Sequence, residues 1–401
     1  MNRLEPRSSG IDLADLPEAD REAACLLALS KVDGIGAVTV LACHLGPGAE
    51  SAWRTLVTGR IGHCQALAET LRTRVRDDVV RGARSIDPAA ELALCRSSGV
   101  RVLVHGRQGY PERLLNDPAP PAILFASGPV PRSVAPAVAI VGTRNATTLG
   151  RTFARRLGAE LTEAGVRVVS GLALGIDGAA HRGAIDVLAG TRLGAAVEPG
   201  PPIGVVASGL DVPYPARHEL LHREVAARGV LLSETPLGCR PSAWRFPARN
   251  RIIAAMSDAV VVVESRLSGG SMITADQAAD RGVPVLAVPG HPSAASAAGT
   301  NALLADGARL VRDVDDVLAE LGLPLTGEGR RQKRSDALPA RQQRLLDVLL
   351  GGPMSLGELV EAGGGDLDDV ASRLAALEAG GHVLNNGGWF EIDGRSGGSA
   401  E

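Results

Sequence analysis

Val138-Ala139-Ile140-Val141-Gly142 sets the architecture of the chain. Four apolar residues in a row ending on glycine read as a parallel strand buried on both faces. After it the same unit recurs. Thr143-Arg144-Asn145 turns the chain, and Arg151 to Ala164 is helical, with Phe153, Leu157 and Leu161 on one side and Gly165 as its stop. Strand Val166–Ser170 leads into the glycine-rich turn Gly171–Gly178 and a helix. Strands at Ile203–Ser208, Val230–Glu234, Asp258–Ser265 and Val283–Gly290 alternate with further helices. A final pair, strand Ala308–Val311 and helix Asp313–Leu321, closes the series. Repeated strand–helix order predicts an α/β fold, an extended Rossmann-like doubly wound parallel sheet with right-handed crossovers.

Outward from this block the periodicity changes. Glu22 to Leu71 is helical with short loops, and Gly34-Ile35-Gly36 joins two apolar helices. This predicts an N-terminal helical domain, SAM- or helix-hairpin-helix-like, over residues 1–85. Such a turn offers backbone N–H groups to phosphate, or is an ordinary turn. Residues 87–128 read as transitional, with strand Val100–Gly106, a proline-dense course and a short apolar strand ending at Gly128. The Rossmann-like domain is placed at 86–324 and a polar, charged linker at 325–337. Residues 338–395 read as three helices and a hairpin turning at Asn385–Gly388, a winged-helix domain. Its third helix carries Asp366, Asp368, Asp369 and Glu378 against Arg373, which speaks against reading a DNA major groove.

Composition narrows the function. The 401 residues carry 42 basic and 45 acidic side chains, a net charge of −3, so an anion-binding surface has to be a local patch. Only Lys31 and Lys333 are lysines; arginine supplies the positive charge, and its planar fork suits phosphates and stacks on bases. Five scattered cysteines without a CxxC, and eight histidines without ligand spacing, predict no disulfide framework and no metal site. Neither a signal core nor a membrane-length apolar run is present, so a cytoplasmic protein is expected.

In open α/β sheets the ligand lies beyond the carboxyl ends of the strands. The turns there are Gly142–Asn145, Ser170–Gly178, Gly209–Asp211, Ser233-Glu234, Ser268–Ser271 and Gly290. Beside them, Phe246-Pro247-Ala248-Arg249-Asn250-Arg251 follows Arg240, Trp244 and Arg245, and no acid occurs from Thr235 to Ser257. Arginines with flat rings suit single-stranded nucleic acid. Nucleotide fingerprints do not fit. Gly171, Gly175 and Gly178 space as GxxxGxxG, and no GK[ST] occurs. Asp177 and His181 stand four apart and suit an acid–base pair, or a helix cap and a packed histidine. Ser170, Ser233 and Ser271 lack a nucleophile elbow. No catalytic set emerges, and no cofactor is expected.

The succession YPERL, LFASG, AIVGTR, VSGLALGIDGAAHRGA, LLSETPLG, FPARNRIIAAMSDAVVVVES, SGGSMITADQA, AVPG and GTNALLADGA resembles the DprA/Smf family across Arg101 to Val317. The resemblance implies a non-enzymatic, dimeric protein that binds single-stranded DNA, protects incoming strands in natural transformation and helps load the RecA recombinase. Position by position it marks Arg144 with its turn residues Gly142 and Thr143, Ser170 and Gly171, and Phe246, Arg249, Asn250 and Arg251. It also marks Gly270 and Ser271, and it alone points to Asn301. Two departures stand out. The stretch Gly190–Pro202 lengthens a usually short connection, and Val283 stands where an arginine is common. An alternative is a nucleotide-binding phosphoribohydrolase-like enzyme. That class uses a PGGxGT turn and a following glutamate, whereas Ser268–Gln277 contains no Glu.

Overall fold

A computed structural model describes residues 12–71, 76–130, 135–190, 198–325, 339–349, 351–363, 365–379 and 382–392. The linker expected at 325–337 lies, beyond Leu325, outside the described residues, as does most of the Gly190–Pro202 stretch. Two compact units divide at residue 325.

The first unit is built on one sheet. Its strands are β1 (Arg101–Val104), β2 (Ile123–Ser127), β3 (Ala137–Val141), β4 (Arg167–Ser170), β5 (Ile203–Val206), β6 (Val230–Ser233), β7 (Ala259–Val262), β8 (Val285–Ala287) and β9 (Arg309–Leu310). Their order is β1-β2-β6-β5-β4-β3-β7-β8-β9. From β6 to β9 every pairing is parallel. From β3 the chain winds outward through β4, β5 and β6, then returns to add β7 beside β3, so the strand order reverses at the β3/β7 pair.

The doubly wound parallel sheet expected from Val138 onward is present, and the segment read as transitional adds an antiparallel edge to it. β1 pairs antiparallel with β2, and β2 antiparallel with β6. A parallel neighbour needs a crossover of a dozen or more residues, usually a helix. Between β1 and β2 the only helix is the four-residue α7 (Glu112–Leu115), among prolines, so the chain folds straight back.

Both faces of the central strands are covered, which is why they read as unbroken apolar runs. On β3, Val138 and Ile140 face one layer, while Ala137, Ala139 and Val141 face the other. The first layer holds α8 (Thr148–Glu163), through Leu157 and Leu161, and α9 (Ile176–Gly190), through Ala180 and Ala184. Gly183 lets these helices meet backbone to backbone; a Cβ there would collide with the Arg155 carbonyl oxygen. Thr147 caps α8, its hydroxyl accepting from Gly150 N at 3.0 Å. α10 (Glu219–Arg228) adds Leu221 and Val225 beside α9. The second layer holds α11 (Arg245–Ala255) and α12 (Gly270–Ala279), through Ile252, Ile253, Ala275 and Ala278. α13 (Ala298–Ala305) and α14 (Val314–Glu320) complete the winding.

The helical N-terminal region packs on the antiparallel edge. Its helices are α1 (Glu18–Lys31), α2 (Ala37–Leu45), α3 (Ala49–Val57), α4 (Gln65–Thr70), α5 (Arg76–Arg84) and α6 (Pro88–Ser97). Residues Ala23 to Leu29 of α1 are all buried, as expected of a helix surrounded by others and by the sheet. Phe125 and Ile123 of β2 face this cluster, and Leu124 and Ala126 face the second layer. The Gly34–Gly36 turn joins α1 to α2, as its glycines suggested. At the far edge β9 has two residues, and Arg309 on it pairs with Glu320 at 2.7 Å.

The second unit contains α15 (Ala340–Leu349), α16 (Leu356–Gly363), α17 (Leu367–Ala379) and strands β10 (Met354–Ser355), β11 (Val383–Asn386) and β12 (Trp389–Ile392). The hairpin turns at Gly387-Gly388 within the expected stretch, and β10 adds a third antiparallel strand. Three helices and a small antiparallel sheet around Leu345, Leu359, Leu374 and Phe390 fit a winged helix. Arg373 on α17 bonds Asp369 at 3.0 Å, so its charge is answered within its own helix.

Candidate nucleic-acid interface

The loops after β3, β4 and β5 meet the start of α11 at the carboxyl end of the sheet. Arg249 lies one turn into α11 and points inward, only 7% exposed. Its Nη1 donates to the carbonyls of Gly171 (3.0 Å) and Val205, and its Nε donates to Asn250 Oδ1 at 3.3 Å. Gly171 makes this possible. A Cβ there would stand 2.5 Å from both terminal nitrogens of the guanidinium. Asp177 begins α9 on the other side of the same loop and accepts from Gly171 N at 3.1 Å. Burial pushes the Asp177 carboxyl up and the Arg249 guanidinium down to about 10, while each one's charge favours the other's ionised form.

The loop between them is strained. Leu172 is buried yet adopts φ 55°, the left-handed region that a branched side chain disfavours, and its carbonyl bonds His218 Nδ1 at 2.9 Å. Ser170 is also interior, its hydroxyl donating to Ile140 O at 2.8 Å.

Above this base lies a surface of a different kind. Arg144 is exposed, and its guanidinium carbon sits 4.8 Å from the centre of the Phe246 ring. Phe246 in turn lies 5.5 Å from the Tyr214 ring, tilted by 46°. Arg144, Tyr214, Phe246, Arg249 and the Gly171–Leu174 turn line one shallow cleft. Trp244, 65% exposed just before α11, carries Arg245 over its ring at 5.1 Å.

The remaining expected residues tie loops together. Arg251 Nη2 donates to both oxygens of Glu234 at 2.7 and 2.9 Å, at the end of β6. Asn250 donates to the Gly270 carbonyl at 3.3 Å, joining α11 to the start of α12. The Ser271 hydroxyl donates to Ser265 Oγ at 2.8 Å. Asn301 brackets Gly290, accepting from its N–H at 3.1 Å and donating to its carbonyl at 3.0 Å. Thr143 N donates to the Glu264 carbonyl at 2.7 Å, and the Glu264 carboxylate accepts from Thr147 N at 2.9 Å, so the loops after β3 and β7 are joined. The structure therefore gathers Arg144, Gly171, Phe246 and Arg249 at one cleft. It sets Arg251 against Glu234 instead. Tyr214 and the strained Leu172 were not singled out as site residues, although Tyr214-Pro215 is one of the motifs of the family resemblance.

Asp177 and His181 do not pair. His181 is fully enclosed, with neither ring nitrogen hydrogen-bonded among the described residues. Burial holds His181 and its neighbour His222 down to about 4, against an ordinary 6.5. In the unfolded chain both take up a proton near 6.5. Stability from these two groups is thus complete above 6.5 and lost as pH falls toward 4. Chemical denaturation across that range is expected to show a falling midpoint, and His181→Gln/His222→Gln a flatter profile.

A strand-order reversal with an arginine-and-ring cleft at its loops defines a Rossmann-like protein with its ligand face at the switch point. The family described as DNA recombination-mediator protein A matches residues 101–322. A Synechocystis relative named Protein Smf is 33% identical over 324 residues, covering 79% of this chain and 77% of that protein. A Mycobacterium tuberculosis relative bearing the DprA name is 40% identical over 267 residues, which span 66% of its length and 65% of this chain. The X-ray structure of DNA processing protein A from Streptococcus pneumoniae superposes with a TM-score of 0.59 at 29% identity, over 74% of this chain and 95% of that one. The chain belongs to the DNA recombination-mediator protein A family, that of the DprA and Smf proteins.

Proposed function

We propose that this chain binds single-stranded DNA at the cleft between the β3, β4 and β5 loops and α11. The observation that carries the reading is the exposed Arg144 guanidinium stacked on Phe246, itself against Tyr214. A cation over a ring pair serves a phosphate and an unpaired base together, and a duplex hides the base faces such a platform needs. Arg144, Phe246 and Tyr214 touch the strand. The turn residues Gly142, Thr143, Ser170 and Gly171 shape the cleft wall. Arg249, Asn250, Arg251, Gly270, Ser271 and Asn301 hold the loops that present it.

Family membership supports a role in protecting incoming strands and passing them to RecA during transformation or recombination. We assign the chain that role as a cytoplasmic homodimer without catalysis of its own. The enclosed His181 and the anchored Asp177 speak against an acid–base pair and thus against the phosphoribohydrolase alternative.

Fluorescence anisotropy with matched single- and double-stranded oligonucleotides tests the reading. The wild type is expected to prefer the single strand. Arg144→Glu is expected to weaken it, lowering the dependence of log affinity on log salt by about 0.7 for each phosphate no longer neutralised. Equal affinity for both forms, or an Arg144→Glu variant indistinguishable from wild type, would overturn it.

A further inference from the structure

A second arginine-lined cleft lies in the helical N-terminal region, far larger than the one at the sheet. It holds about 580 Å³ between α5 and the loop after α3, and Arg60, His63, Arg76, Arg81 and Arg84 line it, with Asp77 the one acid in the lining among the described residues. Several other exposed arginines in this unit are matched by acids. Arg96 pairs with Asp20, Arg107 with Glu22, Arg155 with Asp186 and Arg182 with Glu224. In a chain with more acidic than basic side chains, four arginines with only Asp77 and Asp78 beside them, among the described residues, make a net basic patch.

Two of the arginines are held by one edge and left open at the other. Arg84 Nε donates to Val57 O at 2.8 Å, and Arg76 Nε donates to Leu71 O at 2.9 Å. Among the described residues their outer guanidinium nitrogens have no partner, and the side chains of Arg60 and His63 have none at all. Arg81 reaches Asp78 at 3.6 Å, a largely exposed and therefore weak pair. Complementing the helix dipole accounts for Arg81 and Arg84 in the last turn of α5, but not for Arg76 in its first, where a cation is disfavoured.

We infer that this cleft is a second nucleic-acid site, one that takes the phosphodiester backbone of a strand and does not read its bases. Arg76 to Arg84 spans about 12 Å of helix at 1.5 Å per residue, which suits a run of phosphates better than an isolated one. Among the described residues no aromatic ring other than His63 lines the cleft, so no stacking platform stands beside the charges there. The site is independent of the cleft at the sheet.

The test uses the full chain and a long fluorescent oligo-dT, in the wild-type and the Arg144→Glu backgrounds. In both, Arg60→Glu/Arg81→Glu is expected to weaken binding at low salt about tenfold or more. The salt dependence should fall by about 1.4, since each neutralised phosphate on a single strand contributes about 0.7. Asp77→Asn removes an acid from the lining and is expected to tighten binding, which a folding defect cannot do. An unchanged affinity and slope for Arg60→Glu/Arg81→Glu in both backgrounds overturns the inference. So does a wild type that retains no oligo-dT. If Arg144→Glu is silent while Arg60→Glu/Arg81→Glu weakens binding, the sheet reading fails and this one stands.

Discussion

Arg249→Met is expected to lower the unfolding free energy by about 3 kcal/mol or more, because it leaves two buried carbonyls unpaired and removes the cation nearest a buried carboxyl. The side chain is enclosed, its Nη1 serves the Gly171 and Val205 carbonyls, and it is the cation that offsets the burial of Asp177. Methionine fills part of the volume but satisfies neither carbonyl. The sign with pH is specific. Without the guanidinium, burial drives the Asp177 carboxyl further above its unfolded value. A group raised in this way favours the folded state at low pH and opposes it as pH rises. The gap between wild type and variant is therefore expected to narrow as the pH is lowered in urea titrations. A pH-independent gap, or none, would show that Arg249 is not tied to Asp177. Loss of DNA binding in this variant would not by itself make Arg249 a DNA-touching residue, because the cleft wall at Gly171 rests on it.

Phe246→Ala behaves in the opposite way. The ring is half-buried, so its removal leaves the core intact, and a small change in thermal midpoint is expected. Affinity for oligo-dT should fall by about 1–3 kcal/mol, the typical worth of one stacked base, which is roughly 5- to 150-fold. Part of that loss reports on Arg144, whose guanidinium rests on the ring and would be released to solvent. A double-mutant cycle with Arg144→Ala measures this share; strictly additive losses would mean that the two act separately. Phe246→Trp is expected to retain most of the affinity. Equal binding by Phe246→Ala and wild type would remove the ring from the interface.

The alternating strands and helices from Val138 to Leu321 were legible because a strand buried on both faces has nothing polar to interrupt it. The antiparallel edge was not, because β1 and β2 look alike in either direction, and direction depends on whether the chain between them folds into a crossover helix. At the site, the loops were legible and the orientations were not. Phe246, Arg249 and Asn250 share one face of α11 at helical spacing, whereas Arg251 is turned about 100° beyond Asn250. Read as one basic run, they formed a single grip; folded, Arg251 meets Glu234 and Arg249 faces inward. Buried arginine is uncommon enough that composition gives no hint of it. What identifies it is Gly171, where the space for a Cβ is taken by a guanidinium.

The two-residue strand β9 bears on how copies of this chain can meet. An open sheet edge invites another chain to extend it, and this one is blunted by its shortness and by the ion-paired Arg309. A homodimer formed on that side would therefore join by packing side chains and would not continue the ladder.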